Sequence, residues 1–241
     1  MLPVLFRIGS FEITSFGVMV ALGALAGLWV FRRELLRAGL PEAALDAAVY
    51  GLVGGLIGAK LLYVFEHLEE SSFFALLLDR GGMSWFGGFS GGLIAGYVTI
   101  VRRRWPLVPV LAAATPALAV GQMLGRVGCF LVGDDYGRPT SLPWGVAFPH
   151  GLPPTFERVH PTQLYESAFL ALLTWVLIRW RRKGVADRTV LGRYFVLAGA
   201  FRFLLEFVRV NVRVLGPLTV AHCFALGVVA LGLVILRPAR T

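Results

Sequence analysis

Seven apolar stretches, at 12–31, 44–65, 85–101, 107–131, 163–178, 190–208 and 218–236, constrain this chain more than any other feature. A helix needs roughly 20 mostly apolar residues to cross a bilayer core. Together the seven consume most of the 241 residues and leave no room for a substantial soluble domain. The composition agrees: 57% of residues are apolar and 15% charged, against about 45–50% and about 25% in soluble domains. The expected fold is therefore all-α, a polytopic membrane protein of about seven transmembrane helices. It forms a single membrane-embedded domain over 1–241, with the lipid bilayer as its solvent.

Lysine and arginine in the connections set the orientation. The loops 32–43, 102–106 and 179–189, with Arg193 and the C-terminal tail, hold fourteen of them, and the opposite side holds six. The richer side is cytoplasmic by the positive-inside rule. This places the N-terminus outside and the C-terminus inside, and turns the longest connection, 132–162, outward. Its six prolines predict an ordered but irregular arm. The net charge of +9 lies in short bursts such as Arg102, Arg103 and Arg104. That placement suits topology determinants, and no nucleic-acid partner is expected.

The start of the chain lacks a basic n-region and a small-residue cleavage site, so no removable signal peptide is expected. Neither Cys129 nor Cys223 belongs to a C-x-x-C pair, and no metal or cofactor is expected. Glycines cluster in three stretches: Gly51, Gly54, Gly55 and Gly58; Gly87, Gly88, Gly91, Gly92 and Gly96; Gly121, Gly125 and Gly128. Small residues four apart let helices approach closely in lipid.

Apart from Arg193, counted with the cytoplasmic loops, three cations fall inside the spans. Lys60 lies near an outer end and is placed to snorkel. Arg126 shares a helix face with Gln122 and Cys129, and Arg202 one with Glu206 and Arg209. A lone arginine at depth costs about 2.5–3.5 kcal/mol on insertion scales, so it is normally paired or functional. Each taken singly fits a structural ion pair, such as Arg202 with Glu206. Taken jointly, Arg126, Arg202 and Arg209 outnumber the helical carboxylate Glu206. A guanidinium surplus at headgroup depth suits a phosphate, held bidentately. At the start of the fifth span, VHPTQLYES puts Gln163, Glu166 and Ser167 on one face, with Tyr165 suited to the membrane interface. This is also what a capped helix end looks like.

The runs GRVGCFLVGDDYGRPT, HPTQLYES and FRFLLEFVR resemble prolipoprotein diacylglyceryl transferase, a seven-helix bacterial inner-membrane family, over nearly the whole chain. The resemblance implies transfer of a diacylglyceryl group from phosphatidylglycerol to the lipobox cysteine of a prolipoprotein, in its signal-peptide region. It casts Arg126 and Arg202 as catalytic, and Arg126, Asp134, Gly137, Arg202, Glu206 and Arg209 as phospholipid-binding. His160, Gln163, Tyr165 and Glu166 support them. Gly125 and Gly128 hold the signature's frame, and Asp134 stands where the family usually has glutamate. Four positions depart from the pattern. Phe86 replaces a histidine proposed for catalysis, Cys129 and Val132 replace two asparagines, and Ala198 replaces a tyrosine. His160, Glu206 and Asp135 are candidates to take the proton in place of that histidine. Two alternatives stay open: a divergent paralogue with another acceptor, and a non-catalytic phospholipid-binding protein. The oligomeric state stays open too.

Overall fold

The computed structural model describes residues 1–9, 11–79 and 81–238; Arg80 and Arg240, both used in the loop count, lie outside them. The chain opens with an antiparallel hairpin of β1 (Val4–Ile8) and β2 (Phe11–Thr14). The helices α1 (Ser15–Arg37), α2 (Asp46–Glu66), α3 (Phe73–Leu78), α4 (Trp85–Arg102) and α5 (Leu107–Val132) follow. The arm carries a second hairpin, β3 (Val146–Phe148) and β4 (Thr155–Val159). Then come α6 (Thr162–Arg182), α7 (Asp187–Glu206), a hairpin of β5 (Arg213–Leu215) and β6 (Leu218–Thr219), and α8 (Val220–Leu236).

Each predicted stretch holds one long helix. By length and apolar character, Ser15–Arg37, Glu42–Glu66 and Leu107–Val132 are long enough to cross a membrane, and Val220–Leu236 is a shorter apolar helix. α7 departs from the apolar pattern because Asp187, Arg188, Arg193, Arg202 and Glu206 lie along it. The helical expectation holds for the apolar runs, and between them short hairpins and α3 form. Between the apolar runs, short segments pair with each other across tight turns, as at Gly216 with φ +56°.

The chain packs as two compact units, Met1–Val30 with Leu111–Thr241, and Phe31–Val110. In the second, α2 and α4 meet backbone to backbone along their glycines. A Cβ on Gly54 would sit 2.9 Å from the Gly91 carbonyl oxygen, and one on Gly92 would sit 3.0 Å from that of Gly51. Leu56, Ile57, Leu93 and Ile94 on the same two helices face outward, an apolar surface that lipid covers without cost. Lys60 is held by the loop that follows α3. Its Nζ donates to the carbonyls of Asp79 (2.6 Å), Gly81 (3.1 Å) and Gly82 (3.4 Å) and so pins the loop before α4.

In the first unit, Ala119, Leu170, Leu173, Leu177, Val190 and Tyr194 form the core where α5, α6 and α7 meet, with Ala198 packed against it. Backbones approach closely here as well: a Cβ on Gly23 of α1 would lie 2.9 Å from the Gly121 carbonyl oxygen of α5. Between α7 and α8, Gly199 meets Ala225 in the same way. Arg188 reaches the last turn of α8, donating to the carbonyls of Ile235 (2.5 Å) and Arg237 (2.8 Å). These carbonyls would otherwise lack partners at a helix end.

Candidate anion-binding active site

Arg126, Arg202 and Arg209 all lie in the first unit and share one network. Arg126 projects from the last turns of α5. Its Nη1 donates to Asp135 Oδ2 at 2.7 Å and its Nε lies 2.9 Å from Glu166 Oε2 on α6. Cys129, one turn on, has its sulfur 4.0 Å from Arg126 Nη1, as the shared face predicts. Arg209 is not on a helix: α7 ends at Glu206, and Arg209 sits in the turn beyond. From there its Nη2 meets Asp135 Oδ1 at 2.7 Å and its Nη1 the Asp135 carbonyl at 3.2 Å.

Asp135 therefore bridges two arginines from separate elements, one carboxylate oxygen to each. Arg202 pairs with Glu206 Oε2 at 2.7 Å, the i, i+4 geometry expected for one helix. Arg209 Nε lies 3.8 Å from the same oxygen. Glu206 is fully buried, and its other oxygen accepts from Asn211 (2.6 Å) and Thr219 (2.7 Å). His222 completes the chain. Its Nδ1 accepts the Thr219 backbone N–H at 3.1 Å, within a reciprocal capping box that starts α8.

This corrects one expectation. The guanidinium surplus read from the helices is balanced in the fold, because Asp135 and Glu166 join Glu206 in matching the three arginines. Helical spacing could reveal neither pairing, because Asp135 follows α5 in a loop and Glu166 lies on another helix. Two donors of the described network are left over, Arg202 Nη1 and Arg209 Nε, and only the second has a carboxylate oxygen nearby, at 3.8 Å. Arg202 Nη1 is buried without a hydrogen-bond partner, and an unpaired buried charged donor is costly unless a ligand satisfies it.

The supporting motif packs inward. Gln163 Nε2 donates to the Asp134 carbonyl, Thr162 Oγ1 to that of Asp135 (2.7 Å) and Ser167 Oγ to that of Met123 (3.2 Å). The polar face of α6 thus clamps the end of α5 and the loop beyond it. Tyr165 is tied to the arm: its hydroxyl accepts from Trp144 Nε1 at 2.7 Å and meets His160 Nδ1 at 3.2 Å. These contacts place His160 in the arm's scaffold. Gly137 is required sterically, since a Cβ there would stand 2.5 Å from the Val208 carbonyl oxygen and 2.8 Å from His160 Cβ. Its N–H donates to His160 O at 2.9 Å, and Arg138 N–H to Val208 O at 2.8 Å. The arm is thereby laced to the segment that carries Arg209.

The two neighbouring aspartates are driven in opposite directions. Burial pushes the Asp134 carboxyl above the usual carboxylate range, with Asp135 adding to it and a hydrogen bond with Cys129 opposing. Burial also acts against the Asp135 carboxylate, but Arg209 and Arg126 overcome it and hold Asp135 below that range. A carboxyl raised by folding destabilises the protein once the pH passes its unfolded value of about 3.9. Asp134→Asn is therefore expected to raise the melting temperature at pH 7.5 and leave it unchanged at pH 3.5, where both states hold the proton. Thermal melts at the two pH values check this. An equal effect at both would show that the charge is not the cause.

Comparison with known proteins agrees with the motifs. The family described as prolipoprotein diacylglyceryl transferase matches residues 3–237. A phosphatidylglycerol–prolipoprotein diacylglyceryl transferase of Clostridium tetani is 35% identical over 213 residues, covering 87% of this chain and 86% of that protein. Relatives of the same name from Geobacter sulfurreducens (35% over 222 residues, 86% and 82% covered) and Xanthomonas axonopodis pv. citri (32% over 271 residues, 99% and 91% covered) are similar along most of their length. The chain belongs to the prolipoprotein diacylglyceryl transferase family, a family of transferases.

Proposed function

We propose that this protein transfers a diacylglyceryl group from phosphatidylglycerol to the lipobox cysteine of a prolipoprotein. In this proposal it is a single membrane domain over 1–241, crossing the bacterial inner membrane seven times. The N-terminus and the arm face outward and the C-terminus is cytoplasmic. The observation that carries the reading is the convergence of Arg126, Arg202 and Arg209, with one buried Arg202 donor unfilled.

The chemistry suits such a cluster. A cysteine thiolate of the peptide attacks the glyceryl carbon bound to phosphate. A C–S bond forms, the C–O bond breaks, and the electron pair leaves on the oxygen of glycerol phosphate. The thiol's proton passes to water or to the departing phosphate. Arginine donors fixed in place stabilise the charge that develops on the leaving group. Bidentate guanidinium contacts set the phosphate's orientation.

The test is reconstitution of the purified protein with phosphatidylglycerol and a lipobox peptide, followed by mass spectrometry. A peptide gaining one diacylglyceryl mass through a thioether is expected. If a known transferase modifies the peptide in parallel and this protein does not, the assignment fails. Rescue of a strain depleted of its own transferase gives the same answer in cells.

One observation favours a second reading, in which the donor is the same and the acceptor differs. Phe86 stands at the start of α4 where the resemblance expects a histidine. It is exposed, lies edge-on to Trp85, and carries no group able to take a proton. New diacylglyceryl-modified molecules in cells that carry the gene, with lipoproteins unchanged, would mark that case.

A further inference from the structure

The bridging carboxylate of Asp135 has three properties that its pairing with the arginines does not require. Its backbone lies in the left-handed region, at φ +60°, a conformation that costs a non-glycine residue of order 1 kcal/mol. Its side chain is 44% exposed, although it joins Arg209, whose side chain is only 9% exposed. It belongs to the loop directly after α5, whose backbone Thr162 and Gln163 hold, so a turn of its side chain alone can withdraw the carboxylate while Arg126 and Glu206 stay in place.

Charge and shape point the same way. Arg126, Arg202 and Arg209 are balanced by Glu166, Glu206 and Asp135. Of these carboxylates, Glu206 is fully buried and the Glu166 side chain is 13% exposed, which leaves Asp135 as the accessible one. Withdrawing Asp135 uncovers positive charge on Arg126 and Arg209, which attracts a phosphodiester monoanion. It also frees two donors, Arg126 Nη1 and Arg209 Nη2, that now hold its two oxygens. The paired non-bridging oxygens of a phosphodiester accept from two such donors in the way a carboxylate does.

We infer that Asp135 is a resident anion, seated where the phosphodiester of the donor lipid binds, and that the lipid enters by displacing it. This rests on the proposed function, and it makes Asp135 a competitor of the substrate and not a ligand for it. An internal competitor lowers apparent affinity by the fraction of time it holds the seat. Occupied nine-tenths of the time, the seat binds lipid about tenfold more weakly than the open one.

The experiment compares wild type with Asp135→Asn and Asp135→Gly in detergent, using short-chain phosphatidylglycerol as donor and glycerol phosphate as product inhibitor. Asparagine and glycine both accept the left-handed backbone, and thermal melts report whether each variant is folded. Both variants are expected to lower KM for phosphatidylglycerol about fivefold to tenfold and to be inhibited at correspondingly lower glycerol phosphate. A KM that is unchanged or raised in folded variants overturns the inference, because Asp135 would then be a strut that holds the arginines for the lipid. Folded variants with no transfer at all overturn it too. Failure of the wild type to transfer or to bind the lipid is a different result, which defeats the proposed function itself.

Discussion

Replacing Arg202 with alanine is expected to lower diacylglyceryl transfer by about a hundred- to a thousandfold, the usual cost of removing one donor aimed at developing charge. Arg202 is the cleanest of the three arginines to remove. Its partner Glu206 keeps hydrogen bonds from Asn211 and Thr219 and the neighbouring charge of Arg209. The buried carboxylate is not abandoned, and the melting temperature should change little. Arg202→Lys keeps the charge and loses the planar fork, so it should recover only part of the rate. Arg126→Ala is the harsher contrast. It strips partners from both Asp135 and the mostly buried Glu166, and is expected to cost stability as well as rate. Transfer assays beside thermal melts separate the two effects. If Arg202→Ala retained more than a tenth of wild-type transfer, its direct role with the phosphate would be disproved.

The second large effect lies in the other unit and concerns folding. Gly58→Val should destabilise the protein by about 3 kcal/mol or more, the upper range for forcing atoms into a filled contact. A Cβ at this position overlaps the Gly87 carbonyl oxygen and stands 3.1 Å from Gly91 Cα. The obstacle is backbone on the facing helix, which cannot rotate aside as a side chain would. α2 and α4 must then separate and lose the close packing that drives helix association in lipid. Gly227→Ala is the control, since a Cβ there meets nothing within 4 Å. It should be neutral or slightly stabilising, because alanine favours helix by about 0.5–1 kcal/mol. Melts or protease resistance in detergent measure both variants, and a Gly58→Val protein as stable as wild type would show that the two helices can pack differently.

Legibility varied with the range of the interaction. The seven helices could be read because long apolar runs are a local property and lipid leaves the backbone few other choices. The Arg202–Glu206 pair and the Arg126–Cys129 face were legible for the same reason, both being set by helical spacing. The hydroxyl partners of Tyr165 could not be read, because Trp144 and His160 sit in the arm, whose path has no periodic signature. The glycines of α7 and α8 were overlooked, although a Cβ on Gly232 would stand 2.7 Å from the Gly192 carbonyl oxygen. They are dispersed among larger residues, and only the facing helix reveals their purpose.

The sequence by itself determined that this chain is a helical membrane protein with arginines where lipid makes them expensive, and its motifs carried the family. Composition and helical periodicity are enough for that, because each acts within a few turns of one segment. Only the tertiary structure decided how those charges are satisfied. Asp135 reaches Arg209 across 74 positions and Gln163 reaches Asp134 across 29, contacts that no local spacing encodes. They exist because a buried guanidinium must find an anion wherever the folded chain brings one within reach. That requirement turned an apparent surplus of positive charge into a network of paired charges.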